Sequence, residues 1–331
     1  MRVLVTGSSG HLGEALMRTL AATEHEAVGL DILPSPWTTH VGSVADRARV
    51  AECMRGIDAV LHTATLHKPH VATHTKQNFV DVNVSGTLNL LEEAASQSVS
   101  RFVFTSTTSV FSRRCQPGPG EPAVWVTEDL APLPKNIYGV TKLSAESLCE
   151  LFHFRTQLPC LILRTSRFFP EEDDTALVRD RFDAENAKVN ELLYRRVDLG
   201  DAARAHLRAM ERAPDIGFGR YIITATTPFL DTDRMRLRAS AAEVIQGYVP
   251  YREEYARRGW RTDDDVARVY VNQRARQELG WCPRVDFAEA LRRLGQGERP
   301  FGPLTYEVGS KGYHAQAFGT GPYPTDDAFG T

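Results

Sequence analysis

Val3-Leu-Val-Thr-Gly-Ser-Ser-Gly-His-Leu-Gly13 joins a short β-branched run to three glycines spaced three apart. The run reads as a buried strand, and residues 12–20 carry the apolar spacing of the helix that follows. Glycines at such a junction permit a tight turn and let a pyrophosphate approach the backbone at the positive end of the helix. They equally suit a plain strand–helix turn, so their surroundings decide. Ala27-Val-Gly-Leu30 is a second strand and ends in Asp31, where a carboxylate can accept hydrogen bonds from an adenosine ribose. A solvated acid is the plain alternative there. Strand, glycine spacing and acid agree, and together they predict an α/β dinucleotide-binding fold. A carboxylate at Asp31 would repel a ribose 2′-phosphate, which favours NAD over NADP.

The alternation continues outward. A helix begins at Asp46, and Asp58-Ala-Val-Leu-His62 is the next strand. Residues 76–95 form a long helix with Phe79, Val82, Leu88 and Leu91 on its apolar side, and Arg101-Phe-Val-Phe-Thr105 is a strand. A proline-rich loop at 117–134, a helix at 138–154 and the strand Cys160-Leu-Ile-Leu163 complete the pattern. It predicts a Rossmann-type, doubly wound parallel sheet. After Phe169-Pro170 the pattern changes: residues 171–190 are charged and carry no strand signal. Arg196-Val-Asp-Leu199 and Tyr221-Ile-Ile-Thr224 read as late strands, with a helix at 200–210 between them. The expected organisation is an NAD-binding domain at 1–165 with elements of 194–227 returning to its sheet. A smaller, mostly helical substrate-binding region follows at 166–193 and 228–298. The tail at 299–331 is rich in Gly, Pro and aromatics, and is expected to be an ordered arm or a flexible tail rather than a helix.

Composition excludes several classes. At 331 residues, 42% hydrophobic and 24% charged, the chain suits a soluble globular protein of one large domain or two. Its formal net charge of -3 gives no reason to expect nucleic acid or an acidic membrane surface. No apolar run approaches the roughly 20 residues of a membrane span. The first strand starts at once, leaving no room for a signal peptide. Cys53, Cys115, Cys149, Cys160 and Cys282 are scattered, without zinc or redox spacing. A reduced, cytoplasmic setting is expected.

Tyr138-Gly-Val-Thr-Lys142 carries the chemistry. Residues four apart share a helix face, so the ammonium can sit near the phenol. Phenols titrate near pH 10, and a fixed cation favours the phenolate. An ordinary helix with an exposed lysine fits the pair equally well until the glycine turn is considered. Phe102-Val-Phe-Thr-Ser-Thr-Thr-Ser-Val-Phe111 ends a strand in a cluster of hydroxyls, at the edge of the sheet where ligands bind.

With these motifs in order, the chain resembles the extended short-chain dehydrogenase/reductase superfamily, in its NAD-dependent epimerase/dehydratase group. The resemblance covers about residues 1–295. It rests on Thr6 to Gly13, Asp31, His62-Thr-Ala-Thr65, Asn83 in Val82-Asn-Val-Ser-Gly-Thr87, Thr105 to Val110, Tyr138 to Lys142, and Gly280-Trp-Cys-Pro283. It implies that Thr107 hydrogen-bonds the reacting oxygen, with Thr108 a rival one residue on. Tyr138 would exchange the proton, while Lys142 would bind the nicotinamide ribose and lower the tyrosine pKa. Capping of a turn suits both threonines as well. For the cofactor it implies Gly7, Gly10, His11, Leu12 and Gly13 at the pyrophosphate and Asp31 at the ribose. Ser43 and Val44 would flank adenine, although the family's common aspartate at the first of these is Ser here. Ala64 and Thr65 would line the ribose, and Arg164 to Ser166 would pass near the nicotinamide. Asn83 would tie helix to strand.

The substrate is less legible. His62, His67, His70 and His74 crowd one stretch with Lys68. Three of them have helix-like spacing, but no carboxylate or cysteine completes a metal set, and no metal is expected. The loop is either solvated or offers donors to an anionic or polyhydroxyl substrate, with His67, Lys68, Thr108 and Arg167 as candidates. Arg179, Arg181, Arg195 and Arg268 could hold phosphates, although solvated helix charges explain each as well. Thr108-Ser109 follows Thr107 where the family's dehydratases commonly carry an Asp-Glu pair, which argues against dehydration. The segment between Pro170 and Arg196 is shorter than the insert usual in nucleotide-sugar epimerases. The reading is therefore an NAD-dependent oxidoreductase/epimerase acting at a hydroxyl or keto carbon of a sugar, sugar acid or nucleotide sugar. A net sugar (acid) dehydrogenase is one alternative. An NAD sensor without turnover is another, although such members typically lose the tyrosine or the lysine. The resemblance also implies a homodimer through the helices at 76–95 and 138–154. Tyr306, Tyr313, Phe318, Tyr323 and Phe329 in the tail would cover the cleft or a neighbouring subunit, or remain disordered.

Overall fold

The computed structural model describes residues 1–312. Strand β1 (Arg2–Thr6) leads through the glycine turn into α1 (His11–Ala21), then β2 (Glu26–Asp31), a short edge strand β3 (His40–Val41), α2 (Arg47–Cys53) and β4 (Ala59–His62). Helices α3 (Lys76–Phe79) and α4 (Gly86–Ser96) precede β5 (Arg101–Thr107), β6 (Val124–Val126), α5 (Ile137–Thr156) and β7 (Cys160–Thr165). Next come α6 (Ala176–Arg181), α7 (Ala184–Glu191), α8 (Leu199–Ile216) and β8 (Phe218–Ile223). The chain continues with α9 (Arg234–Ala239), α10 (Ala241–Tyr248), α11 (Arg252–Arg258), β9 (Arg268–Tyr270), α12 (Phe287–Gly295) and α13 (Pro303–Val308).

Seven strands pair in the order β3-β2-β1-β4-β5-β7-β8, and every pairing is parallel. Period-2 alternation sorts their side chains. Val3 and Val5 join Val103, Leu163, Leu16 and Met210 under α1 and α8. Leu4 joins Val60, Phe104, Ile162, Leu91 and Cys149 on the face covered by α2, α4 and α5. A separate core of Leu193, Phe229, Ile245, Tyr255 and Phe287 holds the C-terminal helices together. The strand order reverses between β1 and β4, and a ligand crevice opens at the carboxyl ends of the strands at such a point. The Rossmann-type architecture is the one expected.

Four local expectations need correction. Residues 196–199 do not form a strand: Arg196 makes one bridge to Arg167, and Asp198 then caps α8 by accepting from the Gly200 and Asp201 N–H groups. The helix expected at 76–95 contains a π-helical stretch, Val80–Ser85, around the buried Asn83. The proline-rich loop and the helical C-terminal region each hide a short strand, and β6 pairs with β9. The tail contains a helix after all. Asp198 Oδ2 accepts from Gly302 N–H and Thr305 Oγ1, both at 2.9 Å, which pins α13 to the start of α8. The expectations for Tyr313, Phe318, Tyr323 and Phe329 lie outside the described residues.

Candidate active site

The glycine turn is a tightly packed cradle. Gly7 has φ +74°, and a Cβ on it would sit 2.8 Å from the Ala64 nitrogen. A Cβ on Gly13 would lie 1.8 Å from the Gly7 carbonyl oxygen. Gly10 caps α1 without a side-chain hydrogen bond, so the N–H groups of the first turn, from His11 to Gly13, face the turn without a capping side chain. Asp31 accepts from Ser9 N–H and from Leu33 N–H, each at 2.9 Å, and so stands at the mouth of the turn. Leu12 and Val44 are buried, and Val44 packs against Gly86. Ser43 Oγ accepts from Ala45 N–H at 3.1 Å. Ala64 N–H donates to Thr6 Oγ1 at 3.2 Å, and Thr65 Oγ1 donates to Asn83 Oδ1 at 2.9 Å. Asn83 also receives Leu66 N–H and donates to Thr141 Oγ1, so it ties the loop after β4 to two helices. Ser166 Oγ is buried and has no hydrogen-bond partner among the described residues. An uncapped helix start, a glycine cradle, a carboxylate at the end of β2 and an orphan hydroxyl after β7 all fit NAD.

The side chains of two predicted cofactor residues have protein partners. The Arg164 guanidinium bonds both carboxylate oxygens of Glu146, at 3.0 and 2.7 Å, and lies 4.9 Å from the Phe111 ring. Its side chain is therefore committed to α5 through Glu146. His11 Nε2 lies 2.7 Å from Glu171 Oε1.

Thr107 and Tyr138 meet because two elements press together. Asn136 caps α5 through Gly139 N–H at 3.0 Å. A Cβ on Gly139 would fall 3.0 Å from the Ser109 carbonyl oxygen, so the missing side chain lets α5 approach the hydroxyl turn. Thr107 Oγ1 accepts from Ser109 N–H at 3.1 Å, and the Thr107 hydroxyl faces the Tyr138 phenol closely enough to work against its burial. The Thr108 hydroxyl acts on Tyr270, on the unexpected strand β9, and the Tyr270 hydroxyl lies 3.8 Å from Cys115 Sγ.

Lys142 lies one turn along α5 and is 1% exposed, with Nζ 4.0 Å from the centre of the Phe104 ring. Burial pulls its ammonium down to about 7, against Cys149 and Glu146. The phenol behaves differently from the sequence-based expectation. Burial pushes Tyr138 up to about 12, and only the Thr107 hydrogen bond works the other way. The desolvated Lys142 does not lower it. Glu146, one further turn along, is fully buried and accepts from Ser106 Oγ at 2.5 Å as well as from Arg164. Ser106 and Arg164 are direct neighbours across β5 and β7. A single carboxylate thus fastens the Thr107 strand to the helix bearing Tyr138 and Lys142. Its spacing of four from Lys142 was the one sequence signal for it. His62 bridges Thr6 and Thr87, and burial together with Lys142 holds its pKa well below the usual value.

Lys68 and Arg167, the cations expected to meet a substrate, are brought together by Asp174. Lys68 Nζ pairs with it, and Arg167 bonds it at 2.9 Å while also reaching Asp173 at 3.3 Å. Glu191 holds Arg195 and Arg196, each at 2.7 Å. The three carboxylates are 3–5% exposed, whereas Lys68 is 36% and Arg167 24% exposed, so the cations face outward. His67 stacks on Phe169 with centroids 5.3 Å apart, and the His67, His70 and His74 rings meet edge to face. Arg179 bonds the Asp173 carbonyl, and Arg181 pairs with Asp264 at 2.5 Å. A cavity of about 210 Å³ behind Phe168 and Phe169, closed by Phe301 and Tyr306, does not reach Thr107, Tyr138 or Lys142.

Among curated proteins, a 3-beta-hydroxysteroid dehydrogenase of Mycolicibacterium neoaurum is 38% identical over 119 residues, which is 33% of this chain and only 32% of that relative. A UDP-glucose 4-epimerase of Rhizobium leguminosarum bv. trifolii is 27% identical across 88% of this chain and 95% of its own. The crystal structure of a short-chain dehydrogenase/reductase superfamily protein from Agrobacterium tumefaciens with bound NAD superposes with a TM-score of 0.62 at 24% identity, covering 90% of this chain and 98% of that one. That likeness speaks to the fold alone. Residues 3–220 match the NAD dependent epimerase/dehydratase family, and with the glycine cradle, Asp31 and the Thr107–Tyr138–Lys142 group in place, the chain belongs to that family.

Proposed function

We infer that this chain is an NAD-dependent oxidoreductase/epimerase acting at a hydroxyl or keto carbon of a sugar or sugar derivative. The observation that carries this reading is the grouping of Thr107 and Tyr138 one helical turn from buried Lys142, at the sheet end that also bears the glycine cradle. When bound, NAD supplies the acceptor for the carbon's hydride and, oxidised, a positive charge that favours the phenolate. In the oxidation direction, Tyr138 takes the proton of the substrate hydroxyl as the C–H bond breaks and C=O forms. Thr107 hydrogen-bonds the same oxygen and keeps it in line with the phenol. Lys142, held over Phe104, would bind the cofactor's ribose and so hold the nicotinamide beside the phenol. His67, Lys68 and Arg167 offer donors at the carboxyl ends of β4 and β7, which suits an oxygen-rich substrate.

Residues 1–165 with 194–227 serve as the NAD-binding unit, and 166–193 with 228–298 as the substrate-binding region. A homodimer through α5 is supported by Val140, Leu151 and Phe154, which leave one stripe of that helix 46%, 47% and 75% exposed. Five free cysteines accord with a cytoplasmic setting, and among the described residues no helix is long and apolar enough to cross a membrane.

The test is a screen of free sugars, sugar acids and nucleotide sugars with NAD, read by absorbance of reduced nicotinamide and by isomer analysis. Net NADH identifies a dehydrogenase, and isomer formation without net NADH identifies an epimerase. NAD binding without turnover across the panel would favour a sensor and overturn the enzymatic reading.

A further inference from the structure

The last described residues return to the glycine turn. Beyond α13 the backbone reverses at Gly309 (φ +62°), and Ser310 and Lys311 lie against the first turn of α1. One carboxylate gathers them. Glu171 Oε1 accepts from Ser310 Oγ at 2.7 Å and from Lys311 N–H at 3.0 Å, and it lies 2.7 Å from His11 Nε2. Lys311 N–H is also 3.3 Å from His11 Nε2, and its ammonium pairs with Glu14 further along the same helix.

Both carboxylates are tuned by these contacts. Burial works to raise Glu171, but His11 and Ser310 hold it well below the usual carboxylate range. Glu14 is likewise lowered, with Lys311 and Arg18 outweighing its burial. Charge-assisted bonds of this kind are about twice as strong as neutral ones. His11 directly follows the capping Gly10, so whatever grips its side chain also grips the turn whose N–H groups face a pyrophosphate. Phe169 extends the same junction to the substrate side. It meets His11 edge-on at 5.2 Å and stacks on His67 at 5.3 Å.

We propose that Glu171 is a positioning residue through which the Ser310–Lys311 strap latches the dinucleotide turn and sets how long NAD stays bound. The proposal rests on the NAD reading above. Opening the latch parts Lys311 from Glu14 and frees both strap donors from Glu171, which lets the first turn of α1 move. The device acts on cofactor residence, not on proton transfer at Tyr138.

Stopped-flow displacement of NADH, followed by its fluorescence in the full chain, tests this directly. Lys311→Met and Glu171→Gln are each expected to release NADH roughly tenfold faster, the factor carried by a lost hydrogen bond to a charged group. Lys311→Arg, which can still pair with Glu14, is expected to stay near the wild-type rate. Release within about twofold of wild type in both Lys311→Met and Glu171→Gln overturns the latch, whether or not the melting temperature falls. The Lys311 side chain is less buried than that of Glu171, at 26% against 11% exposed, so where Glu171→Gln fails to fold, release within about twofold of wild type in Lys311→Met alone overturns the latch. A wild-type protein that binds no NADH overturns the cofactor reading itself, an outcome distinct from failure of the latch.

Discussion

Replacing Glu146 by Gln keeps its volume and an acceptor for Ser106 but removes the charge opposite Arg164. That guanidinium is 2% exposed, its Nη1 already has no hydrogen-bond partner among the described residues, and its remaining support is the Phe111 ring at 4.9 Å. Stripping one partner from a buried ion pair typically costs about 3–5 kcal/mol, because the other charge is left desolvated and uncompensated. Arg220 lies 3.5 Å from the same carboxylate and loses some of its attraction too. The expected loss is therefore in that range, measured as a lower urea midpoint at pH 7 with an unchanged m-value. Removing both charges, as in Glu146→Gln with Arg164→Met, should restore most of the stability, since no unpaired charge stays buried. The local chemistry changes as well. Burial pulls the Lys142 ammonium down while Cys149 and Glu146 hold it up, so the single variant should bring Lys142 below about 7. A single variant that loses less than about 1 kcal/mol, or a double variant no better than the single, would refute this account of the buried network.

Other outcomes follow from the same geometry. Between pH 7 and 10.5 the unfolded chain keeps a proton on Lys142 that the folded chain has released, so stability rises with pH across that window by up to roughly 5 kcal/mol. Lys142→Met should remove this contribution, as the difference between wild-type and variant urea midpoints at pH 6.5 and 9.5 would show. Asp198→Ala removes the cap of α8 and both bonds that hold α13; it should cost about 2–3 kcal/mol and speed proteolysis near residues 299–312. Gly13→Ala drives a Cβ to 1.8 Å from the Gly7 carbonyl. It should weaken NAD binding by at least roughly tenfold in calorimetry, and unchanged affinity would count against the cradle.

The parts legible in the sequence are those set by local pattern. Val3 to Gly13 and Asp31 specify strand, turn, helix and strand with their own spacing, and the parallel sheet follows from repeating that unit. What escaped depends on distant partners. β6 and β9 are three residues each, and neither reads as a strand without the other. Residues 196–199 have strand-like composition, yet Asp198 finds the N–H groups of Gly200 and Asp201 and starts a helix. Asp173, Asp174 and Glu191 sit in a charged segment that reads as solvated, but Arg167, Arg195 and Lys68 pay for their burial. The Tyr138 phenol shows a related limit: spacing places Lys142 on the same helix face, whereas how deeply the fold buries the phenol, which pushes it up, depends on distant elements. Local pattern does not separate Thr107 from Thr108, because the groups that act with them, Tyr138 and Tyr270, come from distant parts of the chain.

The central claim is that Tyr138, supported by Thr107 and Lys142, moves the proton during hydride chemistry with NAD. The most direct measurement is kcat/KM of Tyr138→Phe on the first substrate found, alongside NAD affinity by calorimetry. A positioned proton-transfer group contributes roughly 10²–10⁴ in rate, so turnover should fall by that factor while NAD binding stays within about threefold of wild type. Unchanged turnover in Tyr138→Phe would contradict the claim.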